Sequence, residues 1–209
     1  MYGWGDAVAR HNETRDNVHR QAKLAGTRPE LEKAKLLAGL GTQRDLGRRP
    51  ADTLLHNAGG IRTARGRHMP RVALDIGVVN PQAPAHMQGA SRATLGACTD
   101  YTQQKREKDN ADQLCVQAGV DYQPIVWETF GGVAKEGEET LISLNRMVAV
   151  NTNTTISEVA QRFWQRVSVD MQRANHRAFA KRGFRQELGH ASYAVQYLSR
   201  CCAAADDDV

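Results

Sequence analysis

The chain is poor in the features that mark several large classes of protein. Only 4 cysteines occur among 209 residues, without a Cys-x-x-Cys pair, which excludes zinc fingers and argues against a disulfide scaffold. With only 6 prolines, 41% hydrophobic and 24% charged residues, the composition is that of a globular chain rather than a disordered or collagen-like one. No stretch approaches the roughly 20 apolar residues of a membrane span.

The first residues also lack the pattern of a secretory signal. Met1–Asp6 reaches a charged side chain before any apolar run begins. We therefore expect an intracellular protein with reduced thiols, with the nucleus among the compartments open to it. Because chains usually divide only beyond roughly 250–300 residues, one compact domain is the default for 209.

The formal net charge of +5 is unevenly distributed along the chain. Residues 1–71 contain 14 Lys and Arg against 7 Asp and Glu, whereas residues 72–154 contain 6 against 10. A metal site that acts on a polyanion would need an acidic group inside a basic chain. The same counts are compatible with an ordinary solvated surface.

Hydrophobic periodicity and turn residues predict alternating helices and strands. A helix over 6–25, ended by Gly26, places five residues on one inward face: Val8, His11, Arg15, Val18 and Ala22. Residues 31–37 are compatible with a strand or a helix. Further strands are predicted over 48–56, 71–79 and 122–130, helices over 94–118, 137–150 and 157–182, and loops over 57–70 and 80–89. The order α-β-β-β-α-β-α-α predicts a mixed α/β fold.

The last predicted helix carries two parallel stripes of side chains. One is apolar and consists of Phe163, Val167, Met171, Ala174 and Ala178. The other contains Arg162 and Arg166, which could contact phosphates or simply keep the helix soluble. We expect residues 1–150 to form the core, 151–190 a helical extension packed on it, and 191–209 a frayed tail.

Two isolated aspartates, Asp52 and Asp75, lie on neighbouring predicted strands. If these strands pair, both carboxylates can project from one face and seat a hard divalent cation such as Mg²⁺, which polarises phosphoryl oxygens. Lys105 or Lys108, on the following helix, could supply an ammonium that stabilises developing negative charge. Each residue also has an ordinary interpretation, as a structural or exposed aspartate or as part of a solvated helix face.

These motifs resemble the PD-(D/E)xK superfamily of nucleases, and within it the restriction-like endonuclease domain of non-LTR retrotransposons. Residues 49–52, Arg-Pro-Ala-Asp, are similar to the basic-Pro-Asp motif with one residue inserted. Residues 73–78 are similar to the aspartate strand, and residues 105–109 to a lysine motif that has moved to the following helix. Gly77 stands where the simplest superfamily pattern has its lysine. Glu32 is similar to an extra acidic residue ahead of the Pro-Asp motif.

The resemblance covers roughly residues 6–150 and implies a restriction-endonuclease-like αβββαβ core, with a mixed central sheet flanked by helices. It implies a metal-dependent DNA endonuclease in which Asp52 and Asp75 hold Mg²⁺ or Mn²⁺. Lys105 or Lys108 would then position water, with Glu32 assisting. DNA is the expected partner, and no membrane is expected. The family also implies a homodimer that cuts both strands, and a reverse transcriptase in a parent element of which this chain is a fragment or domesticated copy.

Several further residues are candidates for contact with nucleic acid, namely His11, Arg15, Arg48, Arg49, Arg65, Arg67, Arg162 and Arg166. His11 and Arg15 could instead bind the site carboxylates or join helix to sheet as a buried polar pair. Glu128 is either a further metal-side carboxylate or an exposed residue of an edge strand. The alternative function is a catalytically inactive nuclease-fold module that binds nucleic acid or a protein, and a third is a purely structural domain.

Overall fold

The computed structural model describes residues 4–33, 35–37, 40, 51–63, 66 and 69–187, with side chains from residue 6 to residue 180 within these ranges. The elements in chain order are α1 (Trp4–Leu24), β1 (Pro29–Leu31), β2 (Thr53–Leu55), β3 (Val72–Val79), α2 (Pro84–Arg92), α3 (Gly96–Glu107), a 3₁₀ turn (Lys108–Asn110), α4 (Ala111–Gln117), β4 (Asp121–Glu128), α5 (Lys135–Thr152) and α6 (Ile156–Glu187).

The described strands form one four-stranded sheet in the order β1-β2-β3-β4. The β1–β2 and β2–β3 pairs are antiparallel, whereas β3 and β4 are parallel. A parallel pair needs a long crossover, and here α2, α3 and α4 supply it. The predicted mixed α/β class and mixed sheet are therefore confirmed.

Helices cover both faces of this sheet. Leu74 and Ile76 of β3 point to one face and belong to the core cluster that includes buried residues of α1, α5 and α6. Ala73 points to the other face and packs with Tyr122 of β4 and Cys115 of α4. Because successive side chains of a strand alternate between faces, Asp75 and Gly77 share the face of Ala73, which α3 and α4 cover.

The predicted apolar stripe of α6 is confirmed. Its five members, Phe163, Val167, Met171, Ala174 and Ala178, are at most 3% exposed. Hydrogen bonds also join α6 to α1, from Asn17 to Asp170 at 2.9 Å, from Arg10 to Asn175 at 3.1 Å and from Arg177 to Glu13. On α1, Val18 and Ala22 are buried as predicted, whereas Val8 is 49% exposed.

Three element predictions need correction. The predicted loop over 80–89 contains the start of α2, because Pro84 occupies a first-turn position where its missing N–H costs no hydrogen bond. The predicted helix over 94–118 is broken, since Asp109 and Asn110 have φ angles of 56° and 54°. The first strand is Pro29–Leu31 rather than 31–37, and it stops before Glu32, whose φ is 45°.

The segment 57–70, predicted as a surface loop, contributes to the interior. Ile61 is fully buried in the main core cluster. Thr63 donates a hydrogen bond of 2.5 Å to Asp121, at the start of β4. The loop therefore helps to fix the end of the sheet at which β4 begins.

Candidate active site

The pairing of β2 with β3 brings Asp52 and Asp75 face to face. Thr53 is the partner of Leu74 in the antiparallel register, so Asp52, one residue earlier, lies opposite Asp75. Directly opposed residues of antiparallel strands have Cα atoms roughly 4.5–5.5 Å apart. The Asp52 carboxylate is turned toward β3, because its Oδ2 accepts a hydrogen bond of 2.7 Å from the backbone N–H of Ile76.

Lys105 reaches the site from α3, which covers the face of β3 that carries Asp75. Its Nζ donates a hydrogen bond of 2.6 Å to Asp75 Oδ1. The two side chains are only 15% and 21% exposed. The ammonium also lies 5.5 Å from the centre of the Tyr101 ring, within cation–π range. A charge-assisted bond in this half-buried setting holds Lys105 in place more firmly than a surface ion pair would.

Gly77 provides the space through which Lys105 passes. A Cβ atom at residue 77 would lie 2.9 Å from Lys105 Cε and 3.1 Å from Tyr101 Cε1. Both distances are shorter than ordinary carbon–carbon contacts, so any side chain here would displace the lysine stem or the ring. The position of Lys105 therefore depends on the absence of a side chain at residue 77.

Lys108 is not part of the site. It lies in the 3₁₀ turn that follows α3, and it is exposed. Because Asp109 and Asn110 break the helix there, Lys108 does not continue the α3 face on which Lys105 lies. Its neighbour Arg106 is buried instead and binds Glu136 of α5 at 2.7 Å, which fixes α3 to the rest of the molecule.

Tyr122 is a site residue that the sequence reasoning missed. It is the register partner of Ala73 in the parallel β3–β4 pair, so it shares the face of Asp75. Its hydroxyl donates a hydrogen bond to Asp75 Oδ2, and Tyr122 as a whole is only 2% exposed. Burial and the charge of Asp75 raise the pKa of Tyr122 far above its usual range, so the hydroxyl remains a donor. A buried tyrosine requires a partner, but only the register reveals which one.

The helix α1 supplies the residues around Asp52. His11 Nε2 lies 3.3 Å from Asp52 Oδ1. Arg15, four residues along, does not contact this carboxylate in the described structure but forms ion pairs with Glu32 and Asp16. Glu32 is linked to Asp52 through the backbone, since its N–H donates to the Asp52 carbonyl at 3.0 Å. Of the two interpretations for His11, contact with a site carboxylate is the one that the geometry favours.

The two carboxyl groups have pKa values shifted in opposite directions. Burial alone would raise the pKa of Asp52, but hydrogen bonds from His11 and from the Ile76 N–H outweigh it, and the pKa is lowered. Burial raises the pKa of Asp75, and the negative charge of Asp52 adds to this effect; the Lys105 ammonium offsets only part of it. The site therefore holds one stable carboxylate beside one whose charge is unfavourable.

Other candidate residues lie away from this pair or outside the described residues. Glu128 is the register partner of Val79, four positions beyond the partner of Asp75, and desolvation raises its pKa. Arg162 and Arg166 are exposed on α6, on the side of the sheet where α1 and α5 pack. Four of the candidate arginines lie outside the described residues: Arg48, Arg49, Arg65 and Arg67.

The donor atoms fit a hard divalent cation. No cluster of three or more His, Cys, Asp or Glu side chains suited to a metal occurs in the part of the chain that the structure describes. Mg²⁺ needs fewer protein ligands, since one or two carboxylates commonly bind it together with waters and substrate phosphates. Asp52 and Asp75 provide two opposed carboxylates, and a cation between them would offset the burial and the Asp52 charge that raise the pKa of Asp75.

Comparison of the chain with protein-family models, with curated proteins and with solved structures finds no match in any of the three. Among the described helices, none combines the length and the apolar character needed to cross a bilayer. A functional conclusion therefore depends on the geometry of the site and on the motifs of the sequence.

Proposed function

We propose that the chain is a metal-dependent DNA endonuclease that hydrolyses phosphodiester bonds at the Asp52–Asp75 pair. The observation that carries the proposal is the contact of Lys105 with Asp75 directly beside Asp52. Two carboxylates and an ammonium on one face of a sheet are the side chains that phosphoryl hydrolysis assisted by a divalent ion requires.

The order of elements supports a restriction-endonuclease-like core as part of this proposal. One helix, three strands, a helical crossover and a fourth strand follow each other in the αβββαβ order of the PD-(D/E)xK superfamily. The two aspartates lie on the second and third strands or directly beside them, as the resemblance implies. The departure is the crossover, which contains three helices instead of one.

The relation between Gly77 and Lys105 supports the likeness to a nuclease with a relocated lysine. In the simplest superfamily pattern the lysine follows the aspartate by two residues on the same strand, and here that residue is Gly77. The ammonium of Lys105 arrives above this glycine from α3. In this account the helix supplies the charge that the strand lacks.

Each side chain then has a distinct role. A divalent ion on Asp52 and Asp75 would supply Lewis-acid chemistry at the scissile phosphate. Lys105 neutralises charge that develops on the phosphoryl oxygens and orients the attacking water. Tyr122 holds the Asp75 carboxylate at its second oxygen, while His11 and the Ile76 N–H keep Asp52 ionised.

Contacts with DNA would be made through the phosphate backbone. The basic residues of 1–71 and the exposed Arg62 suit this role, since phosphate contacts fix position without reading sequence. We therefore propose weakly specific cleavage by the isolated chain. The alternative, an inactive module with the same fold, would bind DNA with a steep salt dependence and release no product.

The test is nicking of supercoiled plasmid with Mg²⁺ or Mn²⁺, by the wild-type chain and by Asp52→Ala and Asp75→Ala. We expect metal-dependent nicking that both variants lose, by a factor of about 10³ or more, while DNA binding by Asp75→Ala persists. Asp100→Ala is the matched control, because this aspartate lies on α3 in a surface ion pair with Arg92.

Circular dichroism of each variant separates loss of chemistry from loss of fold. A folded wild-type chain that binds plasmid but never nicks it with either metal would contradict the enzyme proposal. It would leave the inactive module as the better account.

A further inference from the structure

A groove of about 400 Å³ lies at the carboxyl ends of β3 and β4, beside α6. Two phenylalanines on its wall are strongly exposed, Phe130 at 62% and Phe179 at 76%. Polar side chains that line the same groove include Arg10, Gln82, Gln172 and His176. Large exposed aromatic side chains that share one groove are unusual on a globular surface and mark binding sites more often than single exposed residues do.

The walls of the groove are held by hydrogen bonds that join three elements. Asn175 of α6 accepts a hydrogen bond of 3.1 Å from Arg10 of α1. The Asn175 amide then donates one of 2.6 Å to the backbone carbonyl of Thr129, next to Phe130. These contacts fix the separation of the two phenylalanine-bearing segments, so the groove is formed before any ligand enters.

The lining chemistry identifies the class of ligand. Of the described residues that line the groove, none carries a carboxylate. The lining instead contains an arginine, a histidine and several side-chain amides. Aromatic faces bind nucleobases by stacking, amides bind the polar edges of bases, and cations bind phosphates. Inside a duplex the faces of each base are covered by stacking and its Watson–Crick edge is paired, so the ligand that uses all three features is an unpaired strand.

We propose that this groove binds single-stranded DNA, with bases stacked on Phe130 and Phe179. The proposal rests on the proposed nuclease function and deepens it, because it makes the preferred substrate DNA with an unpaired segment beside the cut. Arg10 and His176 contact the phosphates of that segment.

The position of the groove relative to the carboxylates supports a continuous strand path. β3 runs from Asp75 toward Asn80, which lines the groove, and five residues of strand span roughly 16 Å. On α1, His11 contacts Asp52 and its neighbour Arg10 lines the groove. The groove therefore lies within a few nucleotides' reach of the carboxylate pair.

The test is a binding measurement that needs no cleavage. Fluorescence anisotropy, without divalent ions, compares a labelled 20-mer oligothymidylate with a labelled hairpin duplex of similar length. For Phe130→Ala/Phe179→Ala we expect the Kd for the single strand to rise about tenfold and the Kd for the duplex to stay within twofold. Val150→Ala, an 81% exposed apolar residue of α5 outside this groove, should change neither Kd.

A conservative variant adds a spectroscopic readout. Phe130→Trp retains a stacking face, and its added tryptophan emission should be quenched by the oligothymidylate but not by the duplex. Equal losses for both DNA forms, or no loss for either, in a folded double variant would overturn the groove proposal.

The two proposals fail in distinguishable ways. If the wild-type chain nicks plasmid but the double phenylalanine variant binds the single strand normally, the groove proposal alone is wrong. If the chain never nicks but the variant loses single-strand binding selectively, the nuclease proposal is wrong and the groove remains a DNA-binding site.

Discussion

The two halves of the carboxylate pair are built differently. Asp75 lies within β3, beneath α3, and both of its oxygens accept hydrogen bonds from the side chains of Lys105 and Tyr122. Asp52 lies one residue before β2, and its partners are His11 of α1 and a backbone N–H of β3. Asp75 is therefore held by two side chains, from α3 and β4, whereas Asp52 is held by one backbone N–H and one helix residue.

This difference explains the opposite pKa shifts. Lowered pKa at Asp52 keeps that carboxylate charged, and raised pKa at Asp75 makes its charge unfavourable until a cation compensates it. In a metal site built from such a pair, Asp52 is ionised whether or not a cation is bound, whereas the ionisation of Asp75 is favoured by the bound cation. We expect changes around Asp75 to have larger effects on activity than changes around Asp52.

The largest effect expected around Asp75 is that of removing the Lys105 ammonium beside it. Lys105→Met should lower the nicking rate by about 10²–10³, the loss typical of removing one preorganised charge donor. Lys108→Met, the matched control, should stay within about twofold, because Lys108 is exposed and outside the site. Single-turnover nicking rates under saturating protein measure both. Equal losses for the two variants would show that Lys105 acts only through general charge.

A smaller loss is expected when the space above β3 is filled. Gly77→Ala places a methyl group 2.9 Å from Lys105 Cε, so the lysine must shift, and we expect roughly tenfold slower nicking. The sharper version moves the ammonium: Gly77→Lys combined with Lys105→Ala should recover activity above that of Lys105→Ala alone. If the double variant is no more active than Lys105→Ala, the two positions are not equivalent sources of charge.

The two halves can be compared directly by removing one side-chain hydrogen-bonding partner from each. Tyr122→Phe removes one hydrogen bond to Asp75, and His11→Ala removes one to Asp52. We expect about 5- to 10-fold slower nicking for Tyr122→Phe and a smaller loss for His11→Ala, since a single hydrogen bond contributes about 1 kcal/mol. Loss of the Tyr122 bond should also raise the pKa of Asp75 further. A pH–rate profile of Tyr122→Phe should therefore move its acid limb to higher pH.

The smallest effect concerns the stability of the metal-free protein. Asp52 has a lowered native pKa, so its charge stabilises the fold above the usual aspartate pKa, and this stabilisation is lost as the pH falls through the native value. Asp52→Asn should therefore lower the free energy of unfolding at pH 7 by about 1–3 kcal/mol, a deficit that disappears in acid.

Asp75 should behave in the opposite way. Its raised native pKa means that ionisation costs stability, so Asp75→Asn should be as stable as the wild type or more stable at pH 7. That advantage should shrink as the pH falls below the raised pKa of Asp75, and it should be lost below the usual aspartate pKa. Urea unfolding at several pH values measures both variants, and a stability loss of the same sign for each would contradict the opposite pKa shifts.

Local patterns predict much of the fold. β3 and β4 follow from continuous β-branched and aromatic runs, and the buried face of α6 follows from helical spacing. The break between α3 and α4 was not predictable in the same way, because Asp109 and Asn110 adopt left-handed backbone angles that no periodicity indicates. β1 was misplaced because its three residues carry too short a pattern to detect.

For the candidate site, the sequence indicates residue types but not all contacts. The sequence predicts Asp52 and Asp75 as a group with either Lys105 or Lys108. The structure places Lys105 against Asp75, while Lys108 and Glu128 lie elsewhere. Tyr122 could not be assigned to Asp75, because the parallel register of β3 and β4 is set by packing across the whole sheet. Long-range register is the information that local patterns lack.

The antiparallel pairing of Thr53 with Leu74 has a consequence for how related chains can vary. The position of Asp52 is set by the strand that follows it, not by the proline that precedes it. An added residue before Asp52 leaves the two carboxylates opposed, because the register of β2 on β3 is unchanged. A one-residue deletion inside β2 would instead move Asp52 out of register with Asp75.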